Sequence, residues 1–212
     1  DLIADFDIKN RLASGRGNAI IVADSIYSAC KYYEIFQSRG FKQCAIVTSF
    51  KPLEGKLRTE TENAEEFEKF EVYKKMLNEQ AVEDFEAEAK RKFIEEPANM
   101  KLLIVVDKLL TGFDAPPCTY LYIDKSMHDH GLFQAICRVN RLDGEEKDFG
   151  YIVDYKQLFG DLADAINKYT SGAFEGYDAE DIEGLIKDRL TEAKKYLDAT
   201  LEELHDLCGG VA

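Results

Sequence analysis

Leu102-Leu103-Ile104-Val105-Val106 is an unbroken apolar run. Alternate residues of a strand face opposite sides of its sheet, so a strand apolar at every position must be covered on both faces. The run therefore predicts a parallel sheet packed between helices. Ala19-Ile20-Ile21-Val22-Ala23 is a second such run. Asp24 follows it as the expected helix N-cap, and Ile26, Ala29, Cys30, Tyr33 and Phe36 then recur at helical spacing up to Gly40.

The same reading gives strands at Gln43 to Thr48, Thr119 to Ile123 and Gly150 to Val153, and helices from about His130 to Asn140 and from about Tyr155. A charged stretch from Glu62 to Glu96, with Phe67, Phe70, Phe85 and Phe93 among its apolar positions, reads as one or two helices and ends at Pro97. Five strands alternating with helices predict an α/β layered domain with right-handed crossovers over residues 1–172, the charged helical insert lying at about 54–97. Residues 173–212 carry no strand signal and are expected to form an all-helical C-terminal appendage.

With 212 residues, 45% hydrophobic and 32% charged, and no apolar run long enough to span a bilayer, neither a membrane span nor a signal segment is expected. The net charge of −14 argues against a dedicated nucleic-acid-binding module, because phosphate contact normally leaves a basic footprint. That acidity is uneven: residues 54–97 hold 14 acidic and 8 basic groups and residues 161–212 hold 13 and 5, whereas residues 1–53 hold 5 and 7. The near-neutral segments stay available for phosphate contact, and the acidic ones suit solvated helix faces. Five cysteines without a Cys-x-x-Cys pair fit small buried hydrophobes in a reducing cytoplasm. No metal site is expected: His128 and His130 lack a third ligand, and Glu54-Gly55-Lys56 is too short a match to a magnesium nuclease motif to carry one.

Ligands of open α/β sheets bind beyond the carboxyl ends of the strands, which directs attention to the segment Asp107 to Pro117. There Thr111 offers a hydroxyl, Gly112 allows close backbone approach and Asp114 offers a carboxylate, although an Asp-capped turn would use the same residues. In the helix that follows, Gln134, Arg138 and Arg141 stand at i, i+4 and i+7 and would share one face, opposite Leu132, Ala135, Ile136 and Val139. Two neighbouring guanidinium groups repel unless an anion or carboxylates lie between them. The face suits either a polyphosphate grip or salt bridges to nearby acids.

Loop and helix together resemble the fifth and sixth motifs of superfamily-two helicases and translocases, the sixth reading Gln-x-x-Gly-Arg-x-x-Arg. Here Cys137 stands at the Gly position. The wording LLIVVDKLLTGFDAPPCTYLYIDKSM, then HGLFQAICRVNR and FGYIVDY, with AIIVADSIYSACKYYEIF resembling the fourth motif, is similar to the restriction (R) subunit of type I restriction-modification enzymes from about residue 18 to 158. The resemblance implies the second of two RecA-like motor domains plus the start of the following helical region. Arg141 would match the arginine finger reaching the γ-phosphate of ATP, with Arg138 a companion phosphate contact and Gln134 an orienting amide. Gly112 and Asp114 would line the nucleotide cleft, and Thr111 would touch DNA or couple it to ATP. Thr48 and Ser49, at a strand end, are candidates for a contact to the backbone of double-stranded DNA. ATP and Mg2+ would be bound mainly by the first motor domain. Further implied partners are a nuclease domain on the same polypeptide and the methyltransferase and specificity subunits.

No phosphate-binding Gly-x-x-x-x-Gly-Lys-[Ser/Thr] and no Asp-Glu pair occur in this sequence, so the chain by itself is expected to be inactive as an ATPase. Two other functions stay open at this point. One is a RecA-like fold kept as a non-catalytic docking module, and the other is a motor domain of a different superfamily-two helicase. Asp154 has no evident role.

Overall fold

Five strands, β1 (Asn18–Ala23), β2 (Cys44–Val47), β3 (Leu102–Val105), β4 (Cys118–Asp124) and β5 (Tyr151–Asp154), form one sheet of order β2-β3-β1-β4-β5 in which every neighbouring pair is parallel. The computed structural model describes residues 2–52, 64–109, 112–127, 129–144, 147, 149–156, 158, 197 and 200, without the side chains of Asp129, His130, Phe133, Cys137 and Arg138. The chain divides into two compact units, Asp1–Ala165 and Ile166–Ala212, and all five strands belong to the first. The expected helical tail, the helix expected from about Tyr155 and residues 53–63 of the insert lie largely or wholly outside the described residues.

Central β1 bonds to β3 on one side and β4 on the other, Ile20 lying opposite both Leu103 and Leu121. Helices α1 (Leu2–Ile8), α2 (Asn10–Ala13), α3 (Ile26–Ser38), α4 (Ala64–Leu77), α5 (Val82–Glu95) and α6 (Asp129–Val139) complete the described elements. On one face, Ile21, Ile104, Ile46 and Tyr122 share a buried cluster with Phe6 of α1, Cys30 of α3 and Tyr73 of α4. The alternate residues Ile20, Val22, Leu103, Val105, Leu121 and Ile123 are buried as well, and α6 packs against β4 with Leu132, Ala135, Ile136 and Val139 buried. Both faces of the sheet are thus covered, as the unbroken apolar runs require, and the fold is RecA-like α/β.

Three local features refine the sequence expectation. The helix after β1 is capped by Ser25, not Asp24: the Ser25 side chain accepts from the Ser28 N–H at 3.1 Å with an extended backbone (φ −145°). The charged insert holds two helices, broken where Asn78 (φ 47°) and Glu79 (φ 69°) take left-handed conformations at the end of α4. Helices α1 and α2 have no counterpart in the sequence pattern, because each is at most two turns long and shows too few apolar positions to display a period. Cys30, Cys44 and Cys118 are buried, and burial pushes the Cys30 thiol up to about 12 and the Cys44 thiol up to about 11.

Phe93 of α5 is completely buried, and its ring lies 6.1 Å from that of Phe113 in the loop after β3. Phe93→Ala is expected to cost about 3–5 kcal/mol, read as a lowered urea midpoint in equilibrium unfolding.

Candidate functional site

Because the strands are parallel, the connections that leave their carboxyl ends open on one edge of the sheet. Thr48 and Ser49 follow β2 there, Asp107 and Lys108 follow β3, and Lys125 follows β4. The Lys125 ammonium donates to the Val106 carbonyl at 3.3 Å and pairs with Asp107. In the β3–β4 loop, Leu109 and Gly112 both have φ of 70°. Leu109 is buried in this conformation, which side chains rarely adopt, whereas Gly112 is exposed and no described atom lies within 4 Å of the place a Cβ would take. A flat ligand surface could therefore approach the Gly112 backbone directly.

Asp114, near the end of this loop, accepts an ion pair from Arg141, Oδ1 to Nη1 2.8 Å, with side chains 60% and 47% exposed respectively. Two of the residues expected at the site are thus in contact. The pair does not arise from a shared helix face, because α6 ends at Val139 and Arg141 stands two residues past it. Close by, a Cβ at Gly150 would come within 2.3 Å of the Val139 carbonyl oxygen, so the chain entering β5 passes directly over the last turn of α6. Asn140 Oδ1 accepts from the Gly150 N–H at 3.4 Å and fastens the same crossing. Gln134 sits half-buried on α6. Thr111 and the Arg138 side chain lie outside the described residues.

At the end of β2, Thr48 is only 2% exposed; its hydroxyl is shared with the Tyr73 hydroxyl at 2.5 Å and accepts from the Phe50 N–H at 3.1 Å. Ser49 beside it is exposed. Both border a cavity of about 510 Å³ between the ends of β2 and β3 and the starts of α3 and α5. Its charged lining comprises Lys51 paired with Glu83, Lys108 paired with Glu86, and Asp107. Lys108 Nζ donates to Glu86 Oε2 at 2.5 Å and to the Thr48 carbonyl at 3.2 Å, so one ammonium joins β2, β3 and α5. Glu86 is 4% exposed, and among the described residues its Oε1 has no partner. Neither Glu86 nor Lys108 is among the candidates that the sequence suggests. A signal is nonetheless present: Val82, Glu86, Ala89 and Phe93 stand at i, i+4, i+7 and i+11, which puts one carboxylate in the apolar stripe of α5.

Past α6, Arg11 of α2 donates to Thr119 Oγ1 at 3.0 Å and pairs with Asp143. Lys147, 2% exposed, donates to the Pro116 and Cys118 carbonyls at 2.7 Å each and so clamps the exit of the β3–β4 loop. Asp154 accepts from the N–H groups of Lys156, at 2.8 Å, and of Leu158, which gives this aspartate a capping role. No helix among the described residues is long and apolar enough to cross a membrane.

Comparison with known proteins gives one family. The family model described as T1R_D3-like, type I restriction enzyme subunit R domain 3, matches residues 15–157. The type I restriction enzyme HindI endonuclease subunit of Haemophilus influenzae is 42% identical over 97 residues, 45% of this chain and 9% of that protein. The putative type I restriction enzyme MjaVIIP endonuclease subunit of Methanocaldococcus jannaschii is 42% identical over 115 residues, 53% of this chain and 11% of that protein. The type I restriction enzyme SauCOLORF180P endonuclease subunit of Staphylococcus aureus strain COL is 30% identical over 168 residues, 72% of this chain and 18% of that protein. The matched part of each of these relatives is under a fifth of its length.

Burial lowers the Lys147 ammonium from its ordinary value of 10.5 to about 8, with nearby Arg11 adding to the effect and Asp143 and Asp114 opposing it. Between these two values the unfolded chain holds a proton on Lys147 that the folded chain has released, so stability rises with pH across that window. Unfolding free energies measured by urea for wild type and Lys147→Met should therefore differ in slope. Wild type gains relative to the variant from about pH 8 to about 10.5, and a parallel pair of pH curves would refute the assignment.

Proposed function

Because this chain belongs to the family of type I restriction enzyme subunit R domain 3, we propose that it is the second RecA-like motor domain of such a subunit, one half of an ATP-driven translocase on double-stranded DNA. The observation that carries this reading is the Arg141–Asp114 pair, which joins the end of the β3–β4 loop to the segment between α6 and β5. An exposed guanidinium held by an exposed carboxylate can exchange that partner for a phosphate oxygen without leaving a buried charge behind. Gly112, with an open backbone, suits close approach by the same ligand. The donor set present therefore fits a nucleotide phosphate. Magnesium fits the proposal through the first motor domain, which would supply its ligands.

When bound between the two motor domains, ATP supplies the terminal phosphoryl group that is transferred to water. Arg141 donates to that phosphate as negative charge spreads over its oxygens, the action of an arginine finger, and Asp114 holds the finger between turnovers. Arg138 is assigned as a companion phosphate contact and Gln134 as the amide that orients water. Ser49, exposed at the end of β2, and Thr111 are assigned to the DNA backbone. For Thr48, whose hydroxyl is already engaged, the contact assigned is positional, through the turn that presents Ser49. The nuclease domain of the same polypeptide and the methyltransferase and specificity subunits are the proposed partners. Cytoplasmic residence is the proposed location, in keeping with the buried thiols of Cys30 and Cys44.

The test is DNA-stimulated phosphate release by the full-length polypeptide assembled with its partner subunits, wild type against Arg141→Ala. Turnover should fall by at least about a hundredfold while nucleotide binding is retained. Unchanged turnover would leave a non-catalytic docking module in which the Arg141–Asp114 pair is an ordinary surface contact.

A further inference from the structure

We propose that Glu86, on helix α5 of the acidic insert, is a positioning residue for the β3–β4 loop and acts through Lys108. The inference rests on the motor reading above and adds a coupling between the insert and the nucleotide loop. Glu86 is nearly fully buried, and among the described residues its carboxylate meets one donor, the Lys108 ammonium on Oε2 at 2.5 Å, while Oε1 has none. A carboxylate in that state depends on its one cation, since the apolar residues around it cannot replace the lost hydration. Lys108 directly precedes Leu109, which takes a left-handed backbone (φ 70°) at the start of the loop that carries Gly112 and Asp114. The ammonium also holds the Thr48 carbonyl at 3.2 Å, and Thr48 presents the exposed Ser49.

The geometry has a mechanical consequence. If the start of the loop shifts, Lys108 leaves Glu86, and α5 must move or admit water to avoid an unpaired buried charge. The loop and the insert helix therefore move together. The cavity bordered by Glu86, Lys108, Ser49 and Lys51 provides room for that displacement. Substitution at Glu86 is thus expected to impair the response of ATP turnover to DNA more than the binding of ATP.

The experiment compares Glu86→Gln, Lys108→Gln and the double substitution in the full-length polypeptide with its partner subunits. ATP turnover is read with and without DNA, together with KM for ATP, and Arg141→Ala is assayed alongside. Each single substitution should lower DNA stimulation at least about fivefold with KM for ATP within about twofold, and the double should be no worse than the poorer single. Multiplying losses in the double, or normal stimulation in a folded single variant, would overturn the proposal. If Glu86→Gln fails to fold, the partly exposed Lys108 decides: a loss in Lys108→Gln that Lys108→Arg restores supports the role, and normal stimulation or an unrestored loss sinks it. Normal turnover in Arg141→Ala removes the motor reading itself and this inference with it. Loss in Arg141→Ala beside normal pair variants removes only the role of Glu86.

Discussion

Strand β1 is hydrogen-bonded to a parallel neighbour on each side and covered on both faces, and this placement fixes where chemistry can occur. A strand so enclosed has no free edge and no free face, and only its ends meet solvent. Parallel pairing then brings the carboxyl ends of all five strands to one edge, where residues distant in sequence, such as Ser49 and Lys108, border a single cavity. The same pairing requires long crossovers, since parallel strands cannot be joined by tight turns. The insert helices α4 and α5 occupy the connection from β2 to β3, so the most acidic part of the described chain reaches the site through the topology.

The sheet was legible because its signal is local: five residues of Val, Leu and Ile in succession have few other uses, and β3 lies where that run stands. The contents of the site were legible only as chemistry. Asp114 and Arg141 could be chosen by residue type and spacing, but their contact could not, because Arg141 lies past the end of α6 and meets a residue of the β3–β4 loop. Helical periodicity places Arg141 on the face of Gln134, and the structure moves it into the connection beyond. Thr48 illustrates a second limit. A hydroxyl at a strand end looks available in sequence, yet Tyr73, 25 positions away, engages it. Glu86 is a third case, since a glutamate in a highly charged helix draws no notice until its position in the apolar stripe is counted.

Net charge is a poor guide to a site of this kind. The chain carries −14 overall, and the cavity at the strand ends is lined by Lys51, Glu83, Glu86, Asp107 and Lys108, in which each lysine already faces a carboxylate. On the proposed reading the domain therefore meets phosphate with single positioned groups such as Arg141 and Ser49. A broad basic surface is not needed if a companion motor domain closes the other side. This arrangement favours selectivity over sheer attraction: isolated lysines tied to acids add little long-range pull, and an exposed pair is screened beyond about 8–10 Å at ordinary salt.

The two ion pairs on the β3–β4 loop differ in what it takes to break them, and that difference gives the loop a direction. Near its end, Asp114 and Arg141 are about half exposed, and an exposed pair contributes only about 0–1 kcal/mol, because water resolvates both partners when they part. At its start, Glu86 is enclosed, and removing the partner of a buried charge costs about 3–5 kcal/mol, a figure reduced here by the partial exposure of Lys108. Lys147 fastens the exit through two carbonyls. Of the two ion pairs, Asp114–Arg141 is thus the one that parts at the lower cost. A finger arginine needs that property, since it must let go of its resting partner at little cost while the backbone around it holds its place.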